Sequence, residues 1–263
     1  MRQLIVSNLL IKLYFVACVV CVQAQTVGGD SQPKVAQETA AKSEKVQTAI
    51  VINKDAKPLE LAQIAQKAHG GDKFKNYKTL VMRGSVNVST PSFGATQISG
   101  TFSMTFAGDK YVLQIQTPFV SFTQSFDGNE TSSSYSSVQI PPINRLGLPL
   151  LAKVGTNGFA VSALPDSKKR GFRVTSPDNY ATDFIINEKN GQIKSYSANY
   201  NVNGRDVATV VEHDKFREVE GLTLPEKYSQ RFEAKGNTFY ADFKVKEILV
   251  NSTVSDDVFS AQQ

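Results

Sequence analysis

Residues Gln97–Phe106 read QISGTFSMTF, with Ile98, Gly100, Phe102, Met104 and Phe106 on one parity and Gln97, Ser99, Thr101, Ser103 and Thr105 on the other. Successive side chains of a strand point to opposite faces, so this run has one apolar face and one hydroxyl-rich face. A strand of a fully covered parallel sheet would be apolar on both, so the run predicts an antiparallel strand with one wet face. The pattern extends both ways. Upstream, Leu80, Met82, Gly84, Val86 and Val88 alternate with Val81, Arg83, Ser85, Asn87 and Ser89. Downstream, Tyr111, Leu113 and Ile115 resume it after a Gly108-Asp109 turn.

The C-terminal half has the same habit, with strand candidates at Gly158–Ala163, Gly171–Thr175, Asp183–Asn187, Gln192–Tyr200, Asp206–His213, Leu222–Phe232 and Thr238–Val250. Lys189-Asn190-Gly191, Val202-Asn203-Gly204 and Lys235-Gly236-Asn237 supply hairpin turns. Ahead of the first strand, Pro58 suits a first helical turn, Leu61, Ile64, Ala65 and Ala68 recur on one face, and Gly70-Gly71 ends the helix. A short turn over Asp72–Tyr77 then leads into the sheet. Between the halves, Asn144–Val154 (NRLGLPLLAKV) is apolar and interrupted by Gly147 and Pro149, which predicts a short broken helix over an apolar surface. The expected fold class is α+β: an incomplete antiparallel β-barrel of about ten to eleven strands, covered by an N-terminal helix and a short lid helix.

The N-terminus reads as an export signal. Met1–Lys12 is a basic leader, Leu13–Val22 an apolar run of ten residues, and Val22-Gln23-Ala24 a small-residue cleavage site. Ten residues fall well short of the roughly 20 that span a bilayer. Cleavage after Ala24 gives an exported, periplasmic protein; the alternative is a lipoprotein anchored at Cys18. Residues 25–56 contain no Phe or Tyr and read as a flexible tether, with Val46–Asn53 a candidate docking strand. Residues 57–263, which hold every aromatic other than Tyr14 and Phe15, form the folded domain.

Composition excludes several classes of function. A formal charge of +5 without a basic run is no nucleic-acid footprint. Both cysteines, Cys18 and Cys21, lie in the signal, so a mature chain cleaved after Ala24 has no disulfide, thiol nucleophile or cysteine-held metal. No nucleophile elbow, phosphate loop or zinc-helix motif occurs, and His69 and His213 are isolated histidines, more simply structural than ligands. His213-Asp214 could begin a triad, but no serine is singled out to complete one. The reading is a binding protein rather than an enzyme, with no cofactor and no metal.

In order along the chain stand a helix, long alternating strands, Phe126-Asp127-Gly128-Asn129, the apolar segment Asn144–Val154, and the hairpin Phe184–Tyr196. A closing stretch follows with Asp214, Phe216, Arg217, Val219, Gly221, Leu222 and Pro225, then Asn251, Val254, Asp256 and Phe259. Together these resemble the bacterial lipoprotein-sorting carrier superfamily, the LolA/LolB-like proteins, over about Leu59–Phe259. The resemblance implies a half-barrel whose apolar concavity shelters lipid or lipoprotein acyl chains crossing the periplasm. Inner- or outer-membrane envelope proteins would be further partners, and the carrier would be a monomer. On this chain the wall would be Leu80, Met82, Val86, Val88, Ile98, Phe102, Met104, Phe106, Leu113 and Ile115, and the lid Leu146, Leu148, Leu150 and Leu151. The carriers' strand-end arginine, which holds the lid closed, falls near Phe106–Lys110, where Lys110 is the cation. The alternative function is a non-transporting envelope sensor or scaffold that binds a protein partner.

Overall fold

The computed structural model describes residues 52–91, 96–134, 142–166, 168–202, 205–234 and 237–260. The expected signal over 1–24, with Cys18 and Cys21, and residues 25–51 of the expected tether lie outside them. So does most of the Val46–Asn53 strand candidate; Ile52 and Asn53 are not in a strand.

Helix α1 spans Pro58–Ala68, and the Lys57 N–H donates to Glu60 Oε2 at 2.8 Å across its first turn. The face it buries is rotated from the expected one. Leu61, Ala62, Ala65 and Gln66 are buried, while Ile64 and Ala68 are only half-buried, because Gln66 and the following His69 carry polar groups that are satisfied inside. The segment read as a turn is a short helix, α2 (Asp72–Asn76), which buries Phe74.

Twelve strands follow among the described residues: β1 Thr79–Ser89, β2 Ile98–Ala107, β3 Lys110–Gln116, β4 Ser121–Phe126, β5 Thr131–Ser133, β6 Ala160–Ser162, β7 Gly171–Thr175, β8 Ala181–Ile186, β9 Ile193–Val202, β10 Arg205–Val219, β11 Leu222–Ala234 and β12 Asn237–Val250. They form one antiparallel sheet in the order β5-β4-β3-β2-β1-β12-β11-β10-β9-β8-β7-β6. The sheet does not close, so the fold is an incomplete antiparallel barrel with helices, as expected from the alternation. The strand count exceeds the expected ten to eleven because β4 and β5 were not read as strands. Their Ser- and Thr-rich sequences carry little apolar alternation.

The two halves of the chain meet where β1 pairs with β12, from Leu80 opposite Val250 to Ser89 opposite Tyr240. This ladder shifts register between Arg83 and Gly84. A Cβ on Gly84 would lie 2.0 Å from the Lys244 carbonyl oxygen, so only glycine fits this bulge. A second irregularity lies between His213 and Phe216 in the β10–β11 ladder. Residues three apart on a regular strand face opposite sides, yet here the rings of His213 and Phe216 are 5.2 Å apart; the bulge turns both inward.

Strands β5 and β6 are the two sheet edges, and the chain between them passes from one to the other. It contains a 3-10 turn (Ile143–Arg145) and helix α3 (Gly147–Ala152), the short broken helix expected there. The core runs from α1 and α3 across the inner face of the sheet, including Phe102, Tyr111, Phe172, Phe184, Tyr228 and Phe243.

Candidate functional site

The inner face of the sheet and α3 enclose a cavity of about 500 Å³ that opens to solvent. Among the described residues, those lining it include no Lys, Arg, Asp or Glu. On one side the wall is the β1–β3 surface: Leu80, Met82, Val88, Ile98, Met104, Phe106, Leu113 and Ile115 all line it. Two further residues assigned to this wall from sequence, Val86 and Phe102, lie beside it in the core and are 1% and 3% exposed. For Phe102 the Gly84 bulge explains this. With no side chain at Gly84, the Phe102 ring settles into the dent, its Cε1 3.0 Å from where a Cβ would stand, and meets Phe243 edge-on at 5.0 Å.

The lid residues divide in the same way. Leu146 and Leu148, with Pro149, line the cavity, whereas Leu150 and Leu151 are fully buried and do not line it. The segment is fastened to α1, since Gln66 Nε2 donates to the carbonyls of Leu151 and Val154, both at 2.9 Å. These carbonyls stand at and just beyond the end of α3, where the helix supplies no i+4 donor; the Leu151 carbonyl also accepts the Val154 N–H at 3.2 Å. Gly147 has φ +53°, and a Cβ there would lie 2.6 Å from the Tyr196 ring, so glycine lets α3 sit against β9. The β2–β3 turn holds the lid from the other side. Asn144 Nδ2 donates to the Asp109 carbonyl at 2.8 Å, and Lys153 Nζ is 2.8 Å from Asp109 Oδ1. Lys110, the cation at the expected latch position, instead pairs with Asp256 at 2.9 Å.

The opposite wall was not singled out in the sequence. Phe74 and Tyr77 from the α2 region, Tyr196, Val211, His213, Leu224, Tyr228 and Phe243 also line the cavity. The strands that carry them were legible, but nothing local tells which parity of β10 and β11 turns inward once a bulge has reset it. At the other end Phe119, Val120, Phe232 and Phe239 border the cavity, and Phe119 is 80% exposed.

Both histidines have structural bonds. His69 Nδ1 donates to the Thr223 carbonyl at 2.7 Å, and Nε2 accepts the Ile193 N–H at 3.1 Å, which fixes one neutral tautomer. Burial pushes its pKa down to about 4; the Thr223 bond opposes this and the nearby His213 adds to it. His213 Nδ1 donates to the Ile193 carbonyl at 2.8 Å, so both polar groups of Ile193 are held by histidines. Burial likewise lowers His213 to about 4, against the raising effect of that bond. The neighbouring Asp214 pairs with Lys227 at 2.7 Å on the exposed side, away from the His213 ring. Burial raises the phenols of Tyr196 and Tyr228 above their ordinary range, so both stay neutral. The arrangement is thus an uncharged apolar space with a few neutral hydrogen-bonding groups, suited to binding an uncharged chain.

No family model and no curated protein matches the chain. Among solved structures it is similar to a LolA superfamily protein from Nitrosomonas europaea, at 13% identity over 78% of this chain and 98% of that one, with a TM-score of 0.48. It is also similar to a DUF1329 family protein from Desulfovibrio piger, at 9% identity over 78% of this chain and 98% of that one, with a TM-score of 0.46.

Proposed function

We propose that the protein is a periplasmic carrier-like binding protein that shelters a lipid or lipoprotein acyl chain in this cavity and does no covalent chemistry. The observation that carries the reading is the uncharged lining of an open space of about 500 Å³. Pockets for small-molecule ligands in general measure about 300–1,000 Å³. Each methylene withdrawn from water contributes about 0.8 kcal/mol, so an acyl chain needs no charged partner to stay bound. Met82 and Met104, both on the wall, adapt readily to chains of different length. In this reading residues 1–24 are removed on export, residues 25–56 tether the domain, and the eight β1–β3 residues that line the cavity, with Leu146 and Leu148, are the ligand-facing groups.

The test is displacement of a fluorescent fatty acid, with native mass spectrometry of the detergent-free protein to detect a released lipid. Met104→Trp and Ala241→Phe put bulk into the cavity from two strands. Excluding two methylenes should weaken binding about tenfold. Wild-type protein that binds no acyl chain, or variants that bind as tightly as wild type, would refute the assignment. The exposed Phe119 and Val120 would then favour the second reading, an envelope sensor or scaffold with a protein partner.

A further inference from the structure

Among the polar groups on the cavity wall that have no protein partner, two stand side by side. The β10–β11 register places His213 directly opposite Tyr228, with ring centroids 6.2 Å apart in an edge-to-face arrangement. His213 uses Nδ1 to donate to the Ile193 carbonyl, so Nε2 is a bare lone-pair acceptor. The Tyr228 hydroxyl is buried and makes no hydrogen bond. Its ring is locked by stacking on Phe243 at 4.6 Å and 11°. Along the sheet this pair lies between the rim, where Gln230 faces Ala241, and the inner end, where Leu80 faces Phe106. A buried phenol left unpaired is costly, as is an apolar chain laid against two unmet polar groups.

We propose that the cavity selects an acyl chain that bears a hydroxyl group, anchored by His213 Nε2 and the Tyr228 hydroxyl. This rests on the lipid-binding reading above and sharpens it. A single hydroxyl donates one hydrogen and accepts another, so it satisfies the imidazole lone pair and the phenol O–H together. A methylene satisfies neither, and an ionised carboxylate has no hydrogen to give the imidazole. The anchor is therefore selective for a hydroxylated chain over a plain one, in a cavity that would otherwise reject the more polar ligand.

Two matched pairs of probes test this, ricinoleic against oleic acid and β-hydroxymyristic against myristic acid, each displacing a fluorescent fatty acid from wild type, His213→Phe and Tyr228→Phe. Tyr228→Phe removes only an unpartnered oxygen, so it keeps the test intact if His213→Phe, which strips a bond from Ile193, fails to fold. The expected result is that wild type binds the hydroxylated member of at least one pair more tightly. Tyr228→Phe should weaken that ligand several-fold, about the worth of one hydrogen bond, and cut its preference over the plain partner by at least that factor. If the hydroxylated chains bind more weakly than their plain partners by the same factor in wild type and variant, the anchor is overturned while lipid binding stands. If no chain of either kind binds, both readings fall.

Discussion

His69 makes stability depend on pH in a way that can be calculated. It is 0% exposed, and its two ring nitrogens are committed to the Thr223 carbonyl and the Ile193 N–H. Protonation would put a charge in the core and also replace the lone pair that receives the Ile193 N–H. Its pKa accordingly falls from 6.5 to about 4 on folding. Because the folded value is the lower one, the unfolded chain binds the extra proton between these limits. The stabilisation is fully present above about pH 6.5, is lost as pH falls, and levels off near pH 4. At about 1.4 kcal/mol per pH unit the loss across that window is roughly 3 kcal/mol from His69 alone. His213 shifts in the same direction and steepens the slope. The assay is urea denaturation from pH 7 to pH 4.5, above most carboxylate titrations, on wild type and His69→Leu. The variant should be less stable at pH 7, because Thr223 and Ile193 lose their partner, and the gap should narrow as the pH falls. A gap that stays constant across the window would refute the buried neutral imidazole.

Two further predictions concern the lid. Gly147→Ala places a methyl 2.6 Å from the Tyr196 ring at a residue with φ +53°, so it should destabilise the domain by about 1–3 kcal/mol; an unchanged denaturation midpoint would show that α3 does not sit against β9. Gln66→Leu keeps the bulk but leaves the Val154 carbonyl unpaired, at a cost of about 1–3 kcal/mol, and leaves the Leu151 carbonyl with the Val154 N–H alone, so amide exchange should quicken over residues 146–154 before it does in β1 or β12. Equal protection in variant and wild type would mean that the Gln66 bonds do not hold α3 in place.

Much of the fold was legible because its signals are local. Alternation with a period of two marked β1, β2 and β3, the Asn-Gly and Gly-Asn turns marked the later hairpins, and Pro58 with Gly70-Gly71 bracketed α1. The strands β4 and β5 went unread because SFTQSF offers only two apolar residues, Phe122 and Phe126, and TSS none. The wall divides along the same line. Met104 and Leu113 could be assigned to an apolar face from parity, and they line the cavity. Phe102 has the same parity as Met104, yet fills the dent at Gly84.

The sequence by itself determined an antiparallel, one-sided sheet with an early helix and an apolar bridging segment, since each follows from neighbours a few residues apart. The tertiary structure alone decided that β1 joins β12, that bulges at Gly84 and after His213 redirect their side chains, and that Leu148 faces the cavity while Leu150 does not. Those outcomes depend on contacts between segments far apart in the chain. A cavity is the space such contacts leave unfilled, and no local pattern in the sequence encodes that space.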